Sequence, residues 1–375
     1  MKSFKVILLL LIAFISAPLA LHADEHEAAE KAEKAINPKE IIFEHLGDGY
    51  GWEVPFDHHH RIPLPVIVWG TDGLHVFSSS RISGGKEYRD GNATFRLGGD
   101  ESNWHGKIVE VVDGKESRPW DFSITKNVCA LFITLLLVSG IMLWLASYIR
   151  KNPYKAPRKG LGAVEVCVTF VYDGVIKPIL GPNARKFAPY LLTAFFFILM
   201  MNLLGLIVVF PGGANLTGNI AITLVLSICT FLATNLLANK HYWKEILWPD
   251  VPLWLKFPIP IMPVIEIFGM FTKPAALTVR LFANMMGGHM IVITLTLLIF
   301  IFSAMSPAAG GATTIVSTIF SVFMLLIDTL VSFIQAYVFT MLSTIFIGLA
   351  NEQEHEKHEA EKEGHIGKEI EETLI

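Results

Sequence analysis

The stretch TVRLFANMMGGHM (residues 278–290) places a guanidinium, an amide and an imidazole in an otherwise apolar run, at Arg280, Asn284 and His289. A guanidinium does not deprotonate in proteins, so Arg280 can act as a fixed positive charge but cannot carry a proton. At the centre of a membrane-spanning helix it would cost about 2.5–3.5 kcal/mol, and such residues usually mark an ion path. The alternative is that Arg280 reaches a membrane interface, because Lys273 is only seven residues earlier.

Proton carriers must therefore be sought among the titratable residues nearby. Glu266 lies 14 residues before Arg280, which on a continuous helix is ~21 Å away on nearly the same face. His289 lies on the opposite side, whereas Asp328 is the one charge of the last apolar region and shares a helix face with Gln335. A lone histidine in a helix bundle is more often a packing residue, but the four groups together favour an ion path.

Small and amide side chains accompany the charge. Asn284 is one helical turn from Arg280, where its amide can orient the guanidinium, although an ordinary interhelical hydrogen bond is the simpler role. Gly287 and Gly288 would let another helix approach closely, or they serve packing alone.

The composition indicates the kind of scaffold that holds these residues. The 375-residue chain is 52% hydrophobic and 17% charged, whereas soluble domains carry about 25% charged residues. Residues 129–350 contain successive apolar runs of at least ~20 residues, the length that spans ~30 Å of hydrocarbon. A net charge of −4, three cysteines in or beside this region and no phosphate-binding glycine loop argue against nucleic-acid binding, metal or disulfide sites and soluble-substrate catalysis. The chain is predicted to be a polytopic all-α membrane protein.

Four segments are expected along the chain. They are a signal peptide at 1–23, an exported N-terminal segment at 24–126, a membrane domain at 127–350 and a charged cytoplasmic tail at 351–375. A signal anchor is the alternative for the first segment. Two β-prone runs flank Asp72 and Gly73 within 66–77, and a third occupies 107–112, so the exported segment is either a small mixed α/β module or a loosely folded arm.

Five membrane helices are expected. Three are of ordinary length, and the last two regions are long; the five regions are 129–148, 189–210, 219–238, about 259–305 and 312–350. Since a 39-residue helix is ~58 Å long, it would cross ~30 Å only at a tilt of ~60°. Prolines 258, 260, 263 and 274 leave a broken or re-entrant fourth segment open, and SPAAGGA (306–312) is expected to join the last two. Five basic residues between 150 and 159 place that loop in the cytoplasm and the N-terminus outside.

The run KPAALTVRLFANMMGGH resembles the signature of subunit a of the F-type ATP synthase, the ATPase A chain family, which is the membrane stator of Fo. The resemblance extends to RPWDFSITKN before the first span, to APYLLTAFFFILMMNLLGLIV in the second and to FIQAYVFTMLSTIFIGLANEQEH at the end. It also includes PKEIIFEHLGD in the exported segment and covers nearly all of 127–355.

The resemblance implies a function. In this family two proton half channels meet at an arginine that faces a carboxylate of the rotating c-ring, so that proton flow drives rotation and ATP synthesis. The implied partners are the c-ring, b-type peripheral stalk subunits, the lipid bilayer and protons as the transported ion, with no nucleic acid and no cofactor. The implied location is the inner membrane of a bacterium, and the chain is not a catalytic enzyme by itself.

The resemblance also suggests the residues that take part in proton translocation. They are Arg280, Glu266, Asn284, His289, Asp328, Gln335 and Asn219. His289 and Asp328 match an interacting pair that the family often has in the opposite order. Ala276 and Gly205 stand where some members have polar residues, and the histidines at 58–60 favour a solvated loop over a metal site.

Two other classes of function remain as alternatives at this stage. A secondary ion-coupled transporter would show inverted repeats, which the sequence lacks. A passive membrane anchor with an exported binding module would tolerate replacement of both Arg280 and Asp328.

Overall fold

The computed structural model describes residues 47–54, 57–91, 93–99, 102, 104–112, 114–157, 160–207, 213–247, 261–305 and 307–351. The predicted signal peptide, the start of the exported segment and the charged tail after residue 351 lie outside the described residues. The helices are α1 (Lys126–Lys151), α2 (Gly160–Val171), α3 (Lys177–Leu180), α4 (Ala184–Leu206), α5 (Ile220–Leu236), α6 (Lys240–Leu247), α7 (Ile261–Met305) and α8 (Pro307–Asn351). The strands are β1 (Gly51–Val54), β2 (Asp57–Pro63), β3 (Pro65–Gly70), β4 (Gly73–Ser78), β5 (Tyr88–Asp90), β6 (Ala93–Leu97), β7 (Ile108–Val112), β8 (Lys115–Ser117) and β9 (Trp120–Asp121).

The predicted membrane helices are all present. Four helical segments of the described chain are long and apolar enough to cross a membrane, and α5 adds a shorter apolar helix of 17 residues. The second of these segments begins at Gly160 rather than near 189, because α2, a π-helical turn (Tyr172–Ile176) and α3 precede α4. This helical lead-in was not predicted, since Gly160, Gly162 and Gly174 interrupt the apolar run.

The two long helices differ from the prediction in their connection. Both α7 and α8 are 45 residues long, and α7 continues through Pro274 without a break. Pro274 lacks the N–H that would donate to the Met270 carbonyl, a loss that a membrane helix tolerates. Thr278 Oγ1 donates to the carbonyl of Pro274 itself at 2.9 Å. The expectation that 306–312 forms the connecting loop is wrong, because α8 already begins at Pro307.

The described residues form two compact units. The smaller is the helical pair of residues 286–328, and the larger comprises 48–285 and 329–351. The core of the larger unit is built mainly on α4, whose Leu191, Phe195, Ile198 and Met201 are fully buried. Burial of 13 of its 23 residues explains why this helix is apolar over most of its surface.

The described part of the N-terminal segment is built mainly of β-strands and is called the β module, and the helical part of the predicted mixed α/β character stays a prediction. The predicted hairpin is confirmed, because β3 and β4 pair antiparallel around Thr71 and Asp72. The predicted third strand is also present as β7, but it belongs to a second sheet of order β5-β6-β7-β8. The buried Glu110 of β7 accepts hydrogen bonds from the backbone N–H and the hydroxyl of Thr71, which joins the two sheets.

The module is fixed to the first membrane helix. Thr125 is the N-cap of α1, and its hydroxyl accepts the Val128 N–H. The Lys126 N–H donates to the Gly49 carbonyl at 2.8 Å, and the Asn127 N–H donates to Asp48 Oδ1 at 3.2 Å. Trp52 of β1 belongs to the same buried cluster as Ala130 of α1, so the contact is apolar as well as polar.

Candidate functional site

Arg280 lies exposed on the surface of α7 in the larger unit. No described residue forms an ion pair or hydrogen bond with its guanidinium. Its neighbours one turn away on the same face are Ala276 and Ala283, both exposed, and small side chains of this kind let a second helix come close. The surface therefore presents a charge between small side chains, with no opposite charge paired to it among the described residues.

The amide of Asn284 is held beside Arg280 by α8. Its Nδ2 donates to Gln335 Oε1 at 2.6 Å, while Gln335 itself is buried. A buried amide requires a partner, so this bond fixes the relative positions of α7 and α8 next to Arg280. Three of the predicted site residues, Arg280, Asn284 and Gln335, thus lie in one arrangement.

The smaller unit brings His289 and Asp328 together. The two side chains lie on different helices, α7 and α8, but are close enough for an electrostatic interaction. The carboxylate packs directly on Gly288, where an added Cβ would lie 2.6 Å from Asp328 Oδ1 and 2.9 Å from Cγ. Gly287 has nothing within 4 Å of the equivalent point. Of the two glycines, Gly288 is the one that allows the close approach of a carboxylate.

Glu266 is exposed near the beginning of α7. Its neighbour is Tyr242 of α6, whose pKa is raised above its ordinary value by burial and, to a smaller degree, by the negative charge of Glu266. The structure thus separates Glu266 from the Asn284–Gln335 bridge by several turns of α7, as the sequence spacing predicted.

Asn219 has a structural function that the family resemblance did not suggest. It is the N-cap of α5, and its Oδ1 accepts the Ala221 N–H at 3.0 Å. Capping an exposed helix end is sufficient to explain an asparagine here, so its participation in proton transfer stays a prediction.

A hydroxyl-rich face of α5 was missed in the sequence. Thr223, Ser227, Thr230 and Thr234 are all buried and follow each other at helical spacing. Ser227 Oγ lies 2.5 Å from Thr278 Oγ1 of α7, and Tyr190 of α4 pairs with Thr230 at 2.9 Å. The spacing of three and four residues in an otherwise apolar span was the available signal.

This hydroxyl face borders a narrow cleft between α5 and α7. Asn235, Tyr242, Lys273 and Phe346 line its other parts, and Lys273 Nζ lies 5.3 Å from the Phe346 ring centroid. The Oδ1 of Asn235 is buried without a hydrogen-bond partner among the described residues. The cleft therefore has polar groups that water could satisfy.

The fold and the site together define a multi-pass membrane protein with an exposed fixed charge and titratable groups on its long apolar helices. The family model described as ATP synthase A chain matches residues 128–348. The chain is also 41% identical over 249 residues to ATP synthase subunit a of Chlorobium phaeobacteroides (strain DSM 266), covering 64% of this chain and 69% of the relative. It is 42% identical over 258 residues to ATP synthase subunit a 2 of Chlorobaculum tepidum, covering 66% and 69%. It is 39% identical over 251 residues to ATP synthase subunit a of Myxococcus xanthus, covering 64% and 77%.

The chain belongs to the ATP synthase A chain family. It is the proton-translocating membrane subunit of the Fo part of ATP synthase, and in this family the subunit is not a catalytic enzyme by itself. This confirms the resemblance inferred from KPAALTVRLFANMMGGH and disfavours the transporter and anchor alternatives.

A second family model matches residues 41–122 and is described as a domain of unknown function, DUF8433. Its match ends directly after β9, shortly before the ATP synthase match begins. The β module is therefore a separate unit of sequence with no function attached to it.

Proposed function

We propose that Arg280 is the fixed charge facing the c-ring, and that protons reach and leave its surroundings through two separate half channels. The observation that carries this proposal is the exposure of Arg280 on a membrane-length helix with no partner among the described residues. An isolated guanidinium facing lipid would be costly. A carboxylate of the rotating c-ring that passes the Arg280 surface compensates the charge during function.

The flanking alanines support the same partner. Ala276 and Ala283 leave space for the backbone of an adjacent helix, which brings its carboxylate within reach of Arg280. The Asn284–Gln335 bond stiffens the helix pair behind the charge. A guanidinium that cannot deprotonate favours the ionised form of the carboxylate and prevents a proton from passing directly between the channels.

Titratable groups then carry the protons. We assign Glu266 to the cytoplasmic half channel and the His289–Asp328 pair to the outer one, with Asn219 near the outer end of α5. Basic residues in the last turn of α1 (Arg150 and Lys151) and on α6 (Lys240 and Lys244) favour a cytoplasmic location for both connections. The N-terminal module then lies outside the inner membrane of a bacterium, reached through a signal peptide at 1–23, and the C-terminus is cytoplasmic. The b-type peripheral stalk subunits hold the chain against rotation.

The test compares wild type with Arg280→Ala and Arg280→Lys in inverted membrane vesicles that carry the whole complex. We expect Arg280→Ala to abolish ATP-driven acidification while the complex remains assembled, and to raise the passive proton leak after the soluble head is removed. Arg280→Lys keeps a charge but loses the planar geometry, so it should block less of the leak than wild type.

Val279 supplies the matched control, because it is the adjacent exposed residue and is 58% exposed. Val279→Ala should retain most of the pumping. If Arg280→Ala pumps as well as Val279→Ala, the guanidinium does not act at the rotor surface and the proposal fails.

A further inference from the structure

The three-stranded sheet of the β module is apolar on both faces. Val66 and Val68 of β3 and Phe77 of β4 point into the core of the module. The opposite face carries Trp69, Leu74, Val76, Trp120 and Phe122, which are 56%, 57%, 60%, 75% and 63% exposed. An antiparallel sheet with one solvated side normally alternates apolar with polar residues, so this aromatic face needs a covering partner.

The aromatic face is continuous. Trp69 is paired with Leu74 on one side and with Trp120 on the other, and Ile67 is paired with Val76. The Phe122 N–H donates to the Ile67 carbonyl, which places Phe122 beside the same strand. With about 200 Å² for each aromatic side chain, the three aromatic residues alone expose roughly 400 Å². A patch of this size marks an interaction surface.

The aromatic face adjoins the start of the first membrane helix. Phe122 is four residues before Lys126, a distance of at most ~14 Å even in a fully extended chain. The segment between them is held in place, because the Ile124 N–H donates to the Pro65 carbonyl and the Lys126 N–H to the Gly49 carbonyl. The face therefore cannot move far from the membrane surface.

The end of α1 fits the same location. With 26 residues α1 is ~39 Å long and exceeds the ~30 Å hydrocarbon core, so its first turn lies at the headgroup level. Val128 and Phe132 are exposed on α1 and, four residues apart, lie on one face of this helix near its entry into the membrane. The indole N–H groups of Trp69 and Trp120 have no hydrogen-bond partner among the described residues, and indoles with an apolar body and a free N–H are enriched at this level.

We propose that the aromatic face of the β module docks on the lipid surface at the boundary between headgroups and acyl chains, beside the entry of α1. The module is then held by lipid and stabilises the position of α1 in the membrane. This inference is independent of the function of Arg280 and of the side of the membrane on which the module lies.

The test uses the complete complex in lipid nanodiscs that contain phosphatidylcholine with a diazirine near its headgroup. After illumination and digestion, mass spectrometry should find lipid adducts at Trp69, Trp120 and Phe122 at levels similar to Phe132 of α1. The exposed Lys107 of the same module is the internal control and should remain unlabelled.

A matched pair of variants separates docking from folding. Trp69→Ser combined with Trp120→Ser should lower the lipid labelling of Phe122 at least threefold, whereas Trp69→Phe with Trp120→Phe should retain it. Both substitutions lie on the exposed face, so hydrogen exchange of β6 and β7 should stay unchanged.

Two results would overturn the proposal. One is an aromatic face without lipid adducts that is oxidised freely by hydroxyl radicals in nanodiscs. The other is a face that cross-links to protein and excludes lipid, either to residues 24–46 of this chain or to another subunit, because the occupant is then a polypeptide.

Discussion

Replacement of Gly288 by alanine tests how closely the Asp328 carboxylate must approach α7. In the interior of a helix, alanine is favoured over glycine by roughly 0.5–1 kcal/mol, so the change alone should stabilise the helix. The added Cβ, however, would lie 2.6 Å and 2.8 Å from the two carboxylate oxygens of Asp328. Both distances are shorter than any ordinary carbon–oxygen contact, so the carboxylate must rotate or the helices must separate.

The size of the effect follows from this overlap. Forced insertion of a methyl group in a packed position typically costs about 1–3 kcal/mol. That is a factor of roughly 5 to 150 in the population of the arrangement with His289 beside Asp328. We expect the rate of ATP-driven acidification in inverted vesicles to fall by about tenfold, within this range, if the pair lies on the proton route.

Gly287→Ala is the matched control, since it has the same gain in helix propensity and nothing within 4 Å of the new Cβ. This variant should assemble and pump like wild type. Equal pumping by the Gly287 and Gly288 variants would refute the reasoning, whether both are normal or both are impaired. If only the Gly288 variant failed to assemble, the overlap would be confirmed. The close approach of Asp328 would then be needed for helix packing rather than for proton transport.

Three further predictions follow from contacts in the larger unit. Asn284→Ala leaves the buried Gln335 amide without its partner, so the stability of the solubilised complex should fall by about 1–3 kcal/mol. The double variant with Gln335→Leu should recover part of this loss. If the losses from the two substitutions simply add, the two amides are not directly bonded. Asn219→Ala removes the N-cap of α5 and should lower the stability of the complex by about 1 kcal/mol, and unchanged stability would contradict the capping function. The hydroxyl of Tyr50 donates to Asp121, and burial followed by this bond raises the pKa of Tyr50 above its ordinary value of about 10. The folded module therefore loses stability as pH rises above ~10, and Tyr50→Phe should flatten that decline in hydrogen exchange of β3 and β4.

The long apolar spans could be predicted because bilayer thickness sets a minimum length that composition alone satisfies. The lead-in formed by α2 and α3 could not, since its glycines resemble loop signals and its helical state depends on packing against the buried α4. The predicted join at 306–312 was wrong for the same reason: glycine and alanine at 308–312 continue a helix in an apolar environment, although these residues favour a loop in water.

The site shows a similar division. The pairing of Asn284 with Gln335 was open in the sequence because it depends on the relative rotation of two helices, which residue spacing within each helix does not determine. The meeting of His289 with Asp328 was likewise open, and Gly288 explains it in retrospect, since only a residue without a Cβ leaves room for the carboxylate. The exposed aromatic residues of β3 and β9 could not be recognised without the register that brings Trp69 opposite Trp120.

The chemistry of the groups restricts what each part of the site does. Neither Asn284 nor Gln335 titrates, and Arg280 does not lose its proton. The arrangement in the larger unit can therefore set geometry and potential but cannot transport a proton by its own side chains. In the proposed mechanism, protons are passed by the carboxyl group of Glu266 in one half channel and by the imidazole and carboxyl groups of His289 and Asp328 in the other. The hydroxyl face of α5 and the Asn235 Oδ1, which has no hydrogen-bond partner among the described residues, can bind water without adding a charge that would compete with Arg280.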